Sequence, residues 1–192
     1  KKSKVYGWAR KEFSNSFYNK VENLDEINDI FNIAQKRNIS ISLRSGGKSY
    51  GDNTLNNGNI ILHHNGFNKI LNFDENKGII EVESGVTMEK IIEYSVPKRW
   101  MLNVCPANKD ITVSGCLSNN VHGKNCFQKG YFGEYVEEFN LYSYKKGIIT
   151  CSRLKNKDIF YSVISGLGIL GLILNVKIRL RKIESFYLLN KI

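Results

Sequence analysis

A glycine-rich stretch at residues 44–52 constrains the fold of this chain more than any other part of its sequence. It follows residues 39–43, in which apolar and hydroxyl-bearing side chains alternate as in a half-buried strand. Gly46, Gly47 and Gly51 allow the backbone to take positive φ angles and to approach a ligand closely. Consecutive N–H groups in such a turn form a concave anion site. The stretch therefore predicts a phosphate- or pyrophosphate-binding loop, with a plain surface loop as the alternative.

Two familiar nucleotide-binding motifs are excluded by their context. Gly47-Lys48-Ser49 resembles the end of a P-loop, but Ser42 stands where that motif requires a glycine. A P-loop also runs into a helix, whereas the residues after this stretch are a poor helix start. Residues 166–171 spell the GxGxxG of dinucleotide-binding folds. A helix-like segment precedes them and a strand-like one follows, which is the reverse of the required order.

Length and charge limit the classes of protein that remain. The 192 residues suffice for one domain of ordinary size or two small lobes with a real core. The net charge of +10 suits nucleic acid, an anionic membrane surface or a phosphorylated ligand. Because the lysines are scattered and form no tight basic stripe, nucleic acid is the least favoured of the three.

The cysteines and the apolar runs indicate the cellular compartment in which the protein is expected. Cys105, Cys116, Cys126 and Cys151 lack the spacing of a zinc site, so no metal is expected and reduced thiols are predicted. The first residues lack the apolar core of a signal peptide. The longest apolar run, residues 167–174, is too short to span a bilayer. We therefore expect a cytoplasmic protein, with peripheral contact at the inner membrane left open.

The periodicity of the chain predicts an α+β fold, because helices alternate with short hairpins. Asn23 and Glu26 resemble a capping box ahead of an amphipathic helix that ends near Asn38. Further elements are predicted in chain order: a strand over 59–63, a hairpin over 69–83, a helix over 87–94, a hairpin over 137–151, a helix over 156–164 and a strand over 172–180.

A second informative stretch covers residues 101–126. Small and hydroxylated residues surround Gly115, and His122-Gly123-Lys124-Asn125 follows. A helix that started here would present free N–H groups to an anion.

Five segments occur together in one order: Gly7-Trp8-Ala9-Arg10, residues 44–52, Thr112-Val113-Ser114-Gly115, His122-Gly123-Lys124-Asn125, and Gly168-Ile169-Leu170-Gly171-Leu172-Ile173. Over nearly its whole length the chain thereby resembles the FAD-binding (PCMH-type) domain of the vanillyl-alcohol oxidase superfamily. The resemblance is closest to its decaprenylphosphoryl-β-D-ribose 2-oxidase group. It implies two α/β lobes, about residues 1–100 and 101–192, with FAD between them. It also implies a C-terminal substrate domain that this chain lacks.

The resemblance assigns roles to particular residues. Those implied to bind FAD are Leu43, Arg44, Ser45, Gly46, Gly47, Lys48, Ser49, Tyr50, Gly51, Asp52, Asn53, Ala107, Thr112, Val113, Ser114, Gly115, Asn119, Asn120, Val121, His122 and Ile173. His122 and Lys124 are implied to lie on the flavin and substrate side, where a cation stabilises negative charge. The alternative for His122 is a core histidine satisfied by the backbone. Ser114 and Cys116 stand where Gly and Ala are common, which narrows the room for the cofactor.

The same resemblance implies a reaction. The full enzyme would oxidise the 2-hydroxyl of a polyprenyl-phosphate-linked ribose to a ketone, a step in the synthesis of cell-envelope arabinan precursors. A short-chain reductase partner would complete the epimerisation, and the basic surface would suit an anionic lipid phosphate. Two alternatives remain: an alditol or sugar-lactone oxidase of the same superfamily, or a non-catalytic flavin-binding module. The FAD is expected to be non-covalent, because Lys48 stands where several relatives carry a linked histidine.

Overall fold

Two sheets and a small ribbon make up the fold. The structure, a computed structural model, describes residues 1–187. The strands are β1 (Ser3–Tyr6), β2 (Phe13–Lys20), β3 (Ile41–Arg44), β4 (Ile60–His63), β5 (Ile70–Asp74), β6 (Ile79–Glu83), β7 (Trp100–Met101), β8 (Val136–Ser143), β9 (Gly147–Ser152), β10 (Leu172–Arg179) and β11 (Arg181–Lys182). The α-helices are α1 (Leu24–Arg37), α2 (Met88–Ser95), α3 (Val113–Ser118), α4 (Cys126–Lys129) and α5 (Lys157–Val163). The predicted α+β class is confirmed.

The first sheet has the order β1-β2-β4-β3. Its β2-β4 and β3-β4 pairs are parallel, so β3 and β4 end at the same edge. The hairpin of β1 and β2 was not predicted, because β2 turns serines inward: Ser14 and Ser16 are buried, whereas Phe13 is 49% exposed. The two serine hydroxyls are hydrogen-bonded to each other at 2.9 Å, and the hydroxyl of Ser16 also donates to the carbonyl of Asn56. The usual apolar alternation is therefore absent from this strand.

The predicted first helix is confirmed as α1. Asn23 caps it by accepting a hydrogen bond from the N–H of Glu26 at 2.9 Å. The carboxylate of Glu26 accepts from the N–H of Glu22 rather than from that of Asn23, so the expected reciprocal box is shifted by one residue. Asn38 ends the helix in the left-handed conformation.

The second sheet is antiparallel throughout, in the order β5-β6-β10-β8-β9. Its hairpins β5-β6 and β8-β9, the strand β10, and helices α2 and α5 follow the predicted segments. Because β5 and β6 pair with this sheet, the sheets divide between residues 63 and 70. That division is earlier than the lobe boundary predicted near residue 100. Ile80 and Val82 of β6 are fully buried, which explains why the hairpin joins the larger core.

The two sheets share an apolar layer beneath α1. Tyr142, Leu172 and Leu174 of the second sheet belong to the same buried cluster as Ile27 of α1 and Leu62 of β4. This layer fixes where β10 begins relative to the end of β3 and β4. Among the described residues, no helix combines the length and hydropathy needed to cross a bilayer.

Candidate functional site

A cavity of about 460 Å³ lies where the two sheets meet. Its lining comes from both sheets and from the loops that follow their strands: Leu43, residues 45–54, His64, Ile111, Thr112, Ser114, Gly115, Ser118, Asn119, Val121, Leu167, Gly168, Gly171, Leu172 and Ile173. Most of the predicted cofactor-binding residues are among them: Leu43, Ser45, Gly46, Gly47, Lys48, Ser49, Tyr50, Gly51, Asp52, Asn53, Thr112, Ser114, Gly115, Asn119, Val121 and Ile173. The fold thus brings the two informative stretches of the sequence together on one cavity.

The glycine loop leaves β3 and turns at Gly47, which has a φ of 63°. Of its three glycines, Gly47 uses the freedom to take a positive φ, whereas Gly46 and Gly51 do not. Gly46 lies close to the opposite wall: a Cβ there would be 3.3 Å from Cγ2 of Thr112, a tight contact. Gly51 faces open space.

The loop offers unused hydrogen-bond donors. Within the described residues, no N–H from Gly47 to Gly51 donates to another protein group. The N–H of Gly46 reaches Oγ1 of Thr112 at 3.4 Å, and the ammonium of Lys48 pairs with Asp110 at the same distance. The loop is therefore tied to the opposite wall at two points, while its turn presents free N–H groups, as an anion-binding nest requires.

Arg44 supports the loop from behind and does not line the cavity. Its guanidinium donates to the carbonyl of Tyr6 and to Oγ1 of Thr54, each at 3.0 Å. A Cβ at Gly47 would lie 2.7 Å from the central carbon of that guanidinium. Burial lowers the pKa of Arg44, and the nearby Tyr18 hydroxyl acts in the opposite direction. A contact between Arg44 and the cofactor stays a prediction, whereas its packing against Gly47 is a feature of the fold.

The opposite wall is built by α3, which is only six residues long. Its first N–H groups are already used: those of Val113 and Ser114 donate to the carbonyls of Val86 and Ser84, at 2.8 and 3.0 Å. The N–H of Gly115 donates to its cap, Thr112. The expectation of free N–H groups at this helix start was therefore wrong. What this wall presents to the cavity is side chains.

Two buried hydroxyls on the cavity lack partners. Within the described residues, Oγ of Ser45 and Oγ of Ser114 are buried and make no hydrogen bond. Buried polar groups in native structures are almost always satisfied, so these two hydroxyls have hydrogen-bonding capacity that water or a ligand can use. Free N–H groups on the loop and hydroxyls on both walls fit a ligand that is rich in acceptor oxygens.

His64 forms part of the cavity and was missed by the sequence analysis. Its side chain is 4% exposed, and its Nδ1 lies 3.2 Å from Oγ of Ser84. Burial, with a smaller contribution from the neighbouring His63, lowers the pKa of His64 to about 3. The signal that could have identified it is its position directly after β4, since ligands bind at the carboxyl ends of parallel strands.

His63, on the other side of the strand, serves a separate polar contact. Its Nδ1 is hydrogen-bonded to the hydroxyl of Tyr18. Burial and the charge of Arg44 lower the pKa of His63 to about 4, and burial raises the pKa of Tyr18. These side chains lie behind the glycine loop rather than in the cavity lining.

The remaining predicted residues lie outside the lining: Arg44, Ala107, Val113, Asn120, His122 and Lys124. Val113 is in the core, and Asn120 accepts a hydrogen bond from the N–H of Gly133. His122 and Lys124 are exposed. The alternative interpretation of His122 as a core histidine is therefore wrong, and its ring meets that of Tyr131 edge to face. Leu167, Gly168 and Gly171 also line the cavity, from the loop before β10, although they were not among the residues predicted to bind the cofactor.

Comparison with known proteins shows which family and which enzymes this chain is similar to. Residues 16–152 match the family described as FAD binding domain. Decaprenylphosphoryl-beta-D-ribose oxidase of Mycolicibacterium smegmatis is 26% identical over 155 residues, which are 80% of this chain and 34% of that protein. L-gulonolactone oxidase of Mus musculus is 24% identical over 194 residues, or 96% of this chain and 43% of that protein.

A third relative, Delta(24)-sterol reductase of Homo sapiens, is 29% identical over 111 residues, which are 58% of this chain and 22% of that protein. The chain therefore spans less than half the length of each of these three relatives.

Proposed function

Because the chain belongs to the family of FAD-binding domains, we propose that it is the FAD-binding part of an oxidoreductase that oxidises a hydroxyl group of a sugar. Membership follows from the family match, which covers well over half of the chain. The predicted resemblance to a PCMH-type domain is thereby confirmed, and the cofactor is FAD. The observation that carries the proposal is the cavity in which the glycine loop, with its free N–H groups, meets α3.

The residues of the cavity fit this cofactor. The glycine loop would hold the diphosphate through backbone N–H groups from Gly47 to Gly51. The ion pair of Lys48 and Asp110 would keep the loop against α3. The chemistry that FAD supplies when bound is the acceptance of a hydride from the carbon that carries the hydroxyl.

The substrate that we favour is a polyprenyl-phosphate-linked ribose, oxidised at its 2-hydroxyl. One of the relatives is named a decaprenylphosphoryl-beta-D-ribose oxidase, and the net charge of +10 suits a phosphorylated lipid at a membrane surface. In this proposal His122 and Lys124 lie on the substrate side, and a short-chain reductase uses the ketone. The residues that complete the substrate site belong to a further domain, as the length of the relatives suggests.

A sugar-lactone or alditol oxidase is the second candidate. Two of the relatives are named L-gulonolactone oxidase and putative D-arabinono-1,4-lactone oxidase, so the same chain is similar to enzymes named for free lactones.

Anaerobic titration of the full-length flavoprotein distinguishes the candidates. Loss of the visible flavin absorbance on addition of a polyprenyl-phosphate ribose supports the first substrate. Loss with gulonolactone, arabinonolactone or alditols supports the second. Bound flavin that none of them reduces would support a non-catalytic module. Protein that binds no flavin at all would contradict the proposed function.

A further inference from the structure

The hairpin of β1 and β2 carries hydroxyls inside and aromatic rings outside. The buried positions of β2 are Ser14 and Ser16. Tyr6 of β1 is paired with Phe13 of β2, and these two side chains are 41% and 49% exposed, with their ring centres 5.9 Å apart. Single exposed apolar side chains are common, whereas neighbouring exposed rings over a polar interior indicate a surface that contacts something else.

Lysine side chains lie over these rings. The ammonium of Lys4 is 4.1 Å from the ring centre of Phe13 and 5.3 Å from that of Tyr6. The ammonium of Lys2 is 5.4 Å from the ring centre of Phe17. Cations in such positions are attracted by the faces of the rings. The surface formed by Lys2, Lys4, Tyr6, Phe13 and Phe17, which we call the hairpin patch, is therefore both basic and aromatic.

The positive charge of the chain is concentrated around this patch. The first 20 residues contain six basic side chains and one acidic side chain, so they supply half of the net charge of +10. Within the described residues, none of these basic side chains belongs to an ion pair. Uncompensated positive charge beside exposed rings attracts an anionic surface.

The position of the lysines favours a membrane over a nucleic acid as the anionic partner. Single-stranded nucleic acid stacks its bases on the faces of aromatic side chains, but here ammonium groups lie over the rings. At a bilayer, aromatic rings enter the boundary between headgroups and acyl chains, while lysine side chains extend to the lipid phosphates. The hairpin patch offers both kinds of side chain next to each other.

The hairpin is connected to the wall of the cavity. Trp8 follows Tyr6 by two residues, and its ring meets that of Tyr50 edge to face, with the ring centres 5.1 Å apart. Tyr50 belongs to the glycine loop and lines the cavity. The guanidinium of Arg44 also donates to the carbonyl of Tyr6 at 3.0 Å. A membrane bound by the hairpin patch would thus be joined through two contacts to the loop that lines the cavity.

We propose that the hairpin patch binds the surface of an anionic membrane. Tyr6 and Phe13 enter the layer between headgroups and acyl chains, and Lys2 and Lys4 contact lipid phosphates. With two rings and a few lysines the binding is reversible. The inference goes beyond the proposed function, because it holds for either candidate substrate. For a lipid-linked sugar, the patch would keep the enzyme on the bilayer that carries the substrate.

The test is co-sedimentation of the full-length flavoprotein with vesicles of phosphatidylcholine alone or of its equal mixture with phosphatidylglycerol. The wild type should bind the mixed vesicles more tightly than the neutral ones, and salt should weaken this binding. Lys2→Gln combined with Lys4→Gln should lower the partition coefficient about thirtyfold, the effect of two lysines near an anionic surface. The matched control is Lys145→Gln combined with Lys146→Gln, which removes the same charge from an exposed turn and should have little effect.

A second pair of variants tests the rings. Tyr6→Ser combined with Phe13→Ser should weaken binding about tenfold, because the rings no longer leave water. Tyr161→Ser, which changes a ring of similar exposure on α5, should bind as the wild type does. Circular dichroism and flavin content show that each variant is folded and holds its cofactor.

Three results would overturn the proposal. The first is equal binding by the two lysine variants, since net charge and not the patch would then govern it. The second is unchanged binding without the two rings. The third is a wild type that stays in the supernatant with the mixed vesicles; patch-dependent retention of single-stranded RNA in that case would assign the surface to nucleic acid. None of these results affects the proposed function, which is measured by flavin reduction without vesicles.

Discussion

At the level of single residues, Arg44 and Gly47 decide the shape of the glycine loop. The guanidinium of Arg44 is held by Tyr6 and Thr54, and it occupies the space that a side chain on Gly47 would need. The chain turns at the positive φ of Gly47, and the N–H groups from Gly47 to Gly51 make no hydrogen bond within the described residues. A charged residue outside the cavity therefore packs against the turn of the loop that lines it.

Gly47→Val should abolish the retention of FAD. A β-branched side chain disfavours a positive φ and would displace the guanidinium of Arg44 from its place against the loop. Gly51→Ala is the matched control, because Gly51 has no positive φ and open space around it, and it should retain FAD. The measurement is the flavin content after gel filtration, with circular dichroism to show that each variant is folded. A folded Gly47→Val protein with a full complement of FAD would contradict the assignment of this loop to the diphosphate.

His64 should make the apoprotein sensitive to acid. Its pKa is about 3 in the folded state and about 6.5 in an unfolded chain, so below the higher value the unfolded state binds a proton that the folded state does not. Stability is fully present above about pH 6.5 and declines as the pH falls toward about 3. The loss by about pH 5 amounts to about 2 kcal/mol from this residue.

The comparison that tests this is the free energy of unfolding in urea at about pH 7 and about pH 5. His64→Gln should remove about 2 kcal/mol of the difference between the two conditions, whatever its stability at the higher pH. Ser95→Ala should keep the wild-type difference. His63, whose pKa is also lowered, to about 4, accounts for part of what remains. If the stability of His64→Gln depended on pH as that of the wild type does, His64 would not be the source of the acid sensitivity.

At the level of elements, Thr112 has two functions that can be separated. Its Oγ1 caps α3 through the N–H of Gly115 and also accepts from the N–H of Gly46 in the glycine loop. Thr87 caps α2 in the same way, through the N–H of Lys90, but does not line the cavity. The two residues thus provide a helix cap with and without a link to the loop.

Thr112→Ala and Thr87→Ala should each lower the free energy of unfolding by about 1 kcal/mol, the usual cost of a lost cap. Thr112→Ala alone should also weaken FAD binding, because the loop loses its tie to α3. Thr112→Ser keeps the hydroxyl and should restore both properties. Urea unfolding and flavin fluorescence measure the two effects. Equal FAD affinities in the two alanine variants would show that the bond between loop and helix does not matter for binding.

Elements with apolar periodicity could be predicted from the sequence, and those without it could not. α1 and β6 present buried apolar residues at the expected intervals. In β2 the buried positions are Ser14 and Ser16, whose hydroxyls bond to each other, and no periodicity rule anticipates that arrangement. The strand exists because of tertiary pairing with β4.

The site divides in the same way. Its glycine loop was predictable, because three glycines in six positions after a strand mark a turn in which the backbone can take a positive φ, as Gly47 does. Leu167 reaches the cavity through the meeting of the two sheets, which no local pattern encodes, whereas the position of His64 directly after β4 was a usable signal. The free N–H groups expected at α3 were wrong for a related reason: Ser84 and Val86, far away in sequence, supply the carbonyls that use them.

At the level of the whole molecule, the distribution of histidines and cysteines bears on how FAD is held. The chain has three histidines and four cysteines. His63 is bonded to Tyr18, His64 to Ser84, and His122 lies outside the cavity lining. Burial raises the pKa of Cys105, Cys116 and Cys151, which disfavours their thiolates. Lys48, at the position where several relatives of this superfamily carry a linked histidine, is paired with Asp110.

We therefore expect wholly non-covalent FAD. Acid precipitation of the holoprotein should release the yellow colour into the supernatant, because no bond to the flavin survives unfolding. Electrophoresis under denaturing conditions provides the control, and the protein band should show no flavin fluorescence. A fluorescent band would contradict the prediction, and His64→Gln and His122→Gln would then show which ring is attached.

The position of β10 in the second sheet has a consequence for the order of events during synthesis. Both β6 and β8 pair with β10, which follows them in the chain, and two residues of β10, Leu172 and Ile173, line the cavity. A nascent chain can build the parallel part of the first sheet early, but its second sheet lacks a central strand until β10 leaves the ribosome. Until then β6 and β8 expose unpaired edges, which invite aggregation or chaperone binding. A cavity lined by residues of β10 can therefore capture the flavin only after that strand has been synthesised and paired.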